Sequence, residues 1–407
     1  MKILVISNLY PPHSIGGYEM RCKYISDKLQ TKGHNIRILT SMYGVQEEQI
    51  NGNVHRRLKI HGYFGRPWLP IYKLFFLEKH NKIVINEELE DFKPDIIHIW
   101  NLGGLSKGLI LSLQITELPI VYDVSDHWIA QSFEADVWFK WWNNETGSSL
   151  AKCLRHSLRL IRLNKIIQKN APFGPWGQIK FTNIYFCSES LKQITINQGY
   201  ELSHANVIYC GIDTGKFRKR SNRERFQRLL FVGRLHEDKD PITAILSLKY
   251  LPDYFKLSIF GSGEEEYVQY LKSEALNFGK RIKFTNASSE EMRDVYAQHD
   301  LFLFTSKWEE PFALTPLEAM AAQLPVISTL EGGSKELIRD GENALSFQTS
   351  DPEDLAKKIL LLENQSHLRT KIVETAYKEV IAKYNLDYIT DKIEDYLKKS
   401  CLESKKS

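Results

Sequence analysis

Along this chain, short apolar runs rich in Val, Ile and Phe alternate with longer stretches whose apolar residues recur at helical spacing. Strands buried on both faces read as continuous apolar runs, and strands separated by helix-length segments form parallel sheets covered on both sides. The pattern predicts strands at Lys2 to Ser7, Asn35 to Thr40, Asp95 to Trp100, Ile120 to Val124 and Ile184 to Ser188. It lapses in the polar, charged stretch Gly211 to Arg225, then restarts with strands at Arg228 to Val232, Lys256 to Phe260, Ile282 to Phe284, Leu301 to Thr305 and Pro325 to Ser328. The expected fold class is α/β, with one doubly wound domain over residues 1–210 and a second over 211–384. From Asp351 the pattern is helical. In residues 385–407, Leu386, Ile389, Ile393, Tyr396 and Leu397 share a helix face that needs a surface to cover it. No fixed-period repeat points to a solenoid or propeller.

At 407 residues the chain exceeds the length at which a single hydrophobic core stops growing, which also favours two domains. Hydrophobic residues at 43% and charged residues at 26% are ordinary for a folded protein. The opening MKILVISNLYPP has too brief an apolar run for a secretory signal and reads as a first strand. No stretch comes near the roughly 20 apolar residues of a spanning helix, so an integral membrane protein is not expected. Cys22, Cys153, Cys187, Cys210 and Cys401 are odd in number and scattered without metal-ligand spacing, which fits a reducing cytoplasm. The net charge of +4 is unevenly placed. Thr146 to Ser188 holds no Asp or Glu, yet carries Lys152, Arg155, Arg159, Arg162, Lys165, Lys169 and Lys180.

In an open parallel sheet, ligands bind beyond the carboxyl ends of the strands, so the residues just after each strand carry the candidate chemistry. After the first strand, Tyr10 to Glu19 places Gly16 and Gly17 at the start of a helix. Paired glycines admit close backbone approach and a helix N-terminus favours anions, which makes a seat for phosphate or sugar hydroxyls, or else a tight turn. A nicotinamide site would show G-x-G-x-x-G here, and the sequence has none. After the strand ending at Val232, Gly233 is followed by Arg234 and Lys239. A guanidinium fork and an ammonium point charge suit the two phosphates of a diphosphate; ordinary surface cations are the alternative. The triplet Asp238-Lys239-Asp240 has the form of a metal-binding D-x-D but overlaps this run, and no metal is assigned to it. After Leu301 to Thr305, Glu310 precedes a helix and Glu318 lies within it, so both carboxylates can face one ligand. The amides of Phe312, Ala313, Leu314 and Thr315 would point towards an anion. Gly332 and Gly333 form a further pair that serves equally as a connector turn.

In this order and at these separations, the motifs resemble family four of the retaining glycosyltransferases, of GT-B architecture, over nearly the whole chain. The resemblance rests on the Gly16-Gly17 loop, G-R-x-x-x-x-K from Gly233 to Lys239, G-x-G from Gly261 to Gly263, and the spacing of Glu310 and Glu318. It implies two Rossmann-like domains facing across a cleft, with the last helix crossing back to the first. It also implies transfer of a sugar from a nucleotide diphosphate, with retention, to a glycan or lipid-linked acceptor. By that resemblance the catalytic set is Glu310, Arg234 and Lys239. The two cations neutralise the departing diphosphate and Glu310 positions the donor sugar. Gly16, Gly17, Gly233, Gly263, Phe312, Ala313, Leu314, Thr315 and Glu318 bind the donor, Glu318 at its ribose.

Two departures from the family pattern stand out. Ile208 to Asp213 looks like the interdomain stretch, with Cys210 where members commonly have asparagine. Members commonly carry His-Asp after the strand at Ile120 to Val124, whereas here Ser125-Asp126 comes first and His127 follows. Asp126 and His127 are therefore candidates for the acceptor or sugar side, with a solvated loop as the alternative. Independently of the family, breaking a sugar–phosphate bond puts negative charge on the leaving oxygen and oxocarbenium character on the sugar. Arg234, Lys239 and Glu310 supply cations for the first and a carboxylate for the second, and two fixed cations can stand in for a divalent ion. No cofactor is expected beyond the nucleotide sugar as co-substrate.

Between Ala130 and Lys180, Phe133, Trp138, Phe139, Trp141 and Trp142 precede a run that sets Leu150, Leu154, Leu158 and Ile161 on one side, with Arg155, Arg159 and Arg162 nearby. A basic amphipathic helix beside interfacial tryptophans fits peripheral contact with an anionic membrane at its inner face. The alternative packs the leucines into the first domain's core, with the tryptophans lining an acceptor cleft. Nucleic acid is not an expected partner, because the positive charge is confined to one segment. Two rival functions remain on the same fold: a noncatalytic nucleotide-sugar or glycan-binding protein, and a nucleotide-sugar epimerase or sugar phosphorylase. The joint presence of Arg234, Lys239, Glu310 and Glu318 counts against the first.

Overall fold

The computed structural model describes residues 1–13, 15–61, 69–131, 135–143, 148–219, 226–288 and 290–404. The chain divides into two compact units. One comprises Met1–Cys187, Leu191–Ile208 and Thr390–Ser407; the other comprises Ser188–Ser190 and Tyr209–Ile389.

The first unit is built on β1 (Lys2–Ser7), β2 (Asn35–Ser41), β3 (Gln49–Asn51), β4 (Val54–Leu58), β5 (Ile96–Ile99), β6 (Ile120–Val124), β7 (Asn183–Phe186) and β8 (Asn206–Val207). Among the described residues these form one sheet in the order β3-β4-β2-β1-β5-β6-β7-β8, parallel except for the β3–β4 pair. Ile3, Leu4, Val5 and Ile6 are all buried, as their unbroken apolar run requires of a strand covered on both faces. The helices that matter below are α1 (Gly17–Thr31), α2 (Ile71–Phe92), α3 (Val137–Asn143), α4 (Ser149–Leu160) and α5 (Leu163–Asn170).

The second unit is built on β9 (Arg228–Val232), β10 (Lys256–Phe260), β11 (Ile282–Thr285), β12 (Leu301–Phe304), β13 (Val326–Ser328) and β14 (Leu345–Ser346). The sheet is parallel throughout, in the order β11-β10-β9-β12-β13-β14. Leu229, Phe231, Ile259, Leu303 and Ile327 from its strands pack with Leu355 and Ile359 in one core. Helix α6 (Leu314–Ala321) follows β12. Each sheet has a switch point, where the chain winds outward in both directions: β1 between β2 and β5, and β9 between β10 and β12. Beyond the carboxyl ends of these strands the loops diverge and leave a crevice for ligand.

Helix α7 (Leu386–Ser404) starts with residues of the second unit and from Thr390 belongs to the first. Its predicted apolar face is covered, with Leu386, Ile389, Ile393 and Leu397 buried. The Tyr396 ring meets that of Tyr185 edge-on at 5.4 Å. All ten predicted strands are present. The short strands β3, β4, β8 and β14 were not predicted. Strand β4 hides because its sequence VHRRL buries charged residues through partners, His55 lying 2.9 Å from Glu88 and Arg56 donating to the carbonyls of Tyr10 and Pro11.

Candidate functional site

In the second unit, the loops after β9 and β12 are laced together. Thr305 Oγ1 lies 2.8 Å from the carbonyl oxygens of both Lys239 and Asp240, and the Lys307 amide donates to Asp238 O at 2.9 Å. This lacing brings the Lys239 ammonium into direct ion pairing with Glu310 Oε1. Ser306 Oγ lies 2.9 Å from the same carboxylate oxygen, and Lys239 Nζ stands 5.6 Å from the centre of the Trp308 ring. Burial, aided by the neighbouring Arg234 charge and opposed by Asp238, pushes Lys239 down to about 8. Arg234 itself is exposed. The Asp238-Lys239-Asp240 triplet splits in two: Asp240 is buried and accepts from Thr243 Oγ1 and Ser350 Oγ, whereas half-exposed Asp238 lies 3.1 Å from His236 Nδ1.

Two glycine pairs make this packing possible. Gly332 has φ +56°, and a Cβ there would lie 2.5 Å from the Glu310 amide nitrogen. The Gly333 amide donates to Glu310 O at 2.6 Å. The Gly332-Gly333 pair is thus the backbone bed on which the Glu310 loop rests, rather than only a connector. In the G-x-G motif, a Cβ on Gly261 or Gly263 would fall 1.8 Å from Gly233 O or 1.9 Å from Leu235 O. The loop after β10 lies directly against the loop carrying Arg234, and only glycine allows that approach.

Helix α6 starts at Leu314 with no side-chain cap; Phe312 and Ala313 enter it buried, and Leu314 and Thr315 are half-buried. Glu318, within the helix, accepts from Tyr296 Oη at 2.7 Å. Burial pushes its carboxyl up to about 7 against that hydrogen bond. Tyr296 and Ser306 are polar partners that sequence reasoning did not single out. Ser306 sits at the edge of a recognisable motif, whereas Tyr296 lies on a short helix with no motif of its own.

Gly16, Gly17, Asp126 and His127 belong to the first unit, whereas Gly233, Arg234, Lys239, Gly263, Glu310 and Phe312 to Glu318 belong to the second. Gly16 and Gly17 are exposed at the start of α1, and the Gly16 amide donates to the buried Glu19 carboxylate at 2.8 Å. The expected anion seat therefore already faces a carboxylate, a neighbour that suits hydroxyl donors better than phosphate. Asp126 accepts from Asn101 Nδ2 at 2.7 Å and from the Trp128 amide at 2.8 Å. Burial pushes it up to about 7, and the charge of Glu19 adds to the rise. His127 is half-buried in the same loop. Two residues overlooked in the sequence fix these loops. Arg21 pairs with Asp123 at 2.6 Å, both side chains buried, and Tyr18 Oη lies within 2.5 Å of Trp100 O and 2.6 Å of Asp123 O.

The basic segment departs from the alternative that packs its leucines into the core. Leu150, Leu154 and Ile161 are exposed, not packed in a core, and Leu158 is half-buried. Trp138 and Trp142 are buried rather than interfacial, the Trp142 ring stacking on Phe173 at 3.8 Å. Phe133 lies outside the described residues. Among the described residues, no helix is long and apolar enough to cross a membrane.

The family model for glycosyl transferases group 1 matches residues 213–379, and the model for glycosyltransferase family 4 matches residues 15–216. An uncharacterized glycosyltransferase of Methanocaldococcus jannaschii is 26% identical, over 96% of this chain and 96% of that protein. Sucrose-phosphate synthase from Thermosynechococcus elongatus has the same fold at 17% identity, with a TM-score of 0.71 over 98% of each chain. So does Anabaena HepE, solved in complex with UDP-glucose, at 19% identity and a TM-score of 0.68 over 98% of this chain and 100% of that one. With two family models that together run from residue 15 to residue 379, this chain belongs to glycosyltransferase family 4 and has the GT-B fold of two parallel-sheet α/β domains.

Proposed function

We propose that this glycosyltransferase moves a hexose from a nucleoside diphosphate to a glycan or lipid-linked acceptor, with retention of configuration and without a metal ion, at the inner face of an anionic membrane. The observation that carries the reading is the contact of Lys239 with Glu310, beside Arg234 and beyond the switch point of the second sheet. A half-buried cation and a buried carboxylate held together can address the two ends of a sugar–phosphate bond, where charge of opposite sign develops in the transition state. On this reading Arg234 and Lys239 hold the diphosphate and Glu310 faces the sugar. Glu318 accepts from the ribose hydroxyls, while the amides from Phe312 to Thr315, with Gly233 and Gly263, line the donor. Gly16 and Gly17 are assigned to donor binding, and Asp126 and His127 to the acceptor or sugar side. The bond from the anomeric carbon to the phosphate oxygen breaks, the acceptor oxygen bonds to that carbon, and the acceptor proton passes to the leaving phosphate. HepE, of the same fold, was solved with UDP-glucose, which supports a nucleotide-sugar donor.

The test is release of nucleoside diphosphate from UDP-, GDP- and ADP-sugars in EDTA, comparing the native chain with Glu310→Ala and Arg234→Ala. Donor-selective release that survives EDTA and collapses in both variants is the expected result. Tight donor binding without release, with a full acceptor panel present, would favour a binding protein. The anomeric configuration of the product, read by NMR, decides retention.

A further inference from the structure

Helices α4 and α5 wear most of their large apolar residues on the outside, with Leu158 and Ile167 half-buried. Leu150 is 83% exposed, Leu160 70%, Ile161 69%, Ile166 60% and Leu154 47%. The less exposed side of α4 carries Ala151, Arg155 and Leu158. Arg155, its one buried residue, donates to Trp141 O at 3.0 Å and lies 5.4 Å from the Trp141 ring, and Arg159 reaches Trp142 O at 3.3 Å. Beneath them Trp142 and Phe173 stack, and Trp138 Nε1 donates to Pro172 O, so the helix sits on a firm aromatic floor. Ile161 and Arg162, the latter at φ +60°, link the two helices, which sets Leu160, Ile161 and Leu163 around the bend. A helix that only packs on its own domain turns its apolar stripe inward, and an exposed stripe of this extent marks an interaction surface.

The charge around the stripe identifies what covers it. Lys152, Arg162, Lys165 and Lys169 flank it, no ion pair to a carboxylate reaches any of them among the described residues, and the sequence from Thr146 to Ser188 holds no Asp or Glu. A second copy of the same face would set these cations against one another. An anionic bilayer satisfies both features at once, taking aliphatic side chains into its acyl boundary and cations at its headgroups. We propose that the α4–α5 hairpin is a membrane-docking element that seats on anionic lipid through Leu150, Leu154, Leu160, Ile161 and Ile166. It deepens the reading of a membrane-borne acceptor, and its test does not depend on turnover.

The experiment is co-sedimentation of the full chain with vesicles of phosphatidylcholine, with and without phosphatidylglycerol, alongside calorimetry of nucleoside diphosphate binding. Salt-sensitive binding to the anionic vesicles alone is expected. Replacing Lys152, Lys165 and Lys169 together by Gln should weaken it on the order of a hundredfold, from the contribution of each cation near a charged surface. Leu154→Glu with Ile166→Glu should weaken it at least as much, with nucleotide binding unchanged as the check that the fold is intact. Absence of binding by the native chain, or equal binding by both variants, overturns the proposal. So does self-association lost in Leu154→Glu without any lipid binding, which would make a second copy the occupant. Loss of donor turnover with vesicle binding intact would sink the catalytic reading and leave this one standing.

Discussion

Lys239 and Glu318 titrate in neighbouring ranges from opposite directions, the amine down to about 8 and the carboxyl up to about 7, each moved chiefly by burial. On the proposed roles, Glu318 must be ionised to accept from ribose and Lys239 must be protonated to hold phosphate. Affinity for nucleoside diphosphate should therefore rise as pH passes up through about 7 and fall as it passes about 8. Calorimetry across that range checks this, and a flat profile would show that neither group touches the ligand. Lys239→Ala should lower the transfer rate by about 10²- to 10³-fold, the usual loss when one preorganised charge is removed from a transition-state site. Single-turnover kinetics measures it. Arg234, Lys239, Glu310 and Glu318 were legible in the sequence because a strand end followed by a glycine, a cation or a carboxylate is a short-range signal. Tyr296 and the Arg21–Asp123 pair were not, since their partners are supplied by packing between distant elements.

The strength of the apolar run decides which elements sequence can show. Strands such as β1 and β12, buried on both faces, were plain; β4, whose charges are paired inside, was not. Periodicity revealed the leucine stripe of α4 but not its direction, because the spacing is the same whether the stripe faces a core or solvent. Loop packing is equally silent in sequence, and the glycine pairs expose it only once the neighbouring backbone is known. Gly332→Ala puts a side chain on a left-handed residue and against Glu310, whereas Gly341→Ala, at φ +73° in open space, meets the backbone strain alone. The first should cost about 1–3 kcal/mol and weaken donor binding, the second should cost less and leave binding intact. Thermal melting with calorimetry separates them.

Across the whole molecule, the restart of the strand pattern after Arg225 made two domains legible, and the apolar face of α7 announced that it needed a cover. Its polar anchor was not legible. Lys32 pairs with both Asp391 and Glu394, and His34 Nε2 lies 3.1 Å from Glu394. The Lys32 contact, with Lys398 and His34, pulls Glu394 down to about 2. A carboxylate lowered in the folded state adds stability that is present above its ordinary value and lost as pH falls towards the folded one. The native chain should therefore lose stability as pH falls from about 4 to 2, and Glu394→Gln should flatten that dependence. Leu397→Ala removes a fully buried side chain from the same helix and should destabilise the first unit by about 2–5 kcal/mol in chemical denaturation. The first unit is thus assembled from segments that precede and follow the second unit in sequence, its sheet made before that unit and the cover over Tyr185 after it. During translation that sheet emerges and waits, its apolar surface open to chaperones and proteases, until the ribosome has read through the entire second unit. A premature stop before the codons of α7 would therefore damage the domain encoded upstream of the second unit.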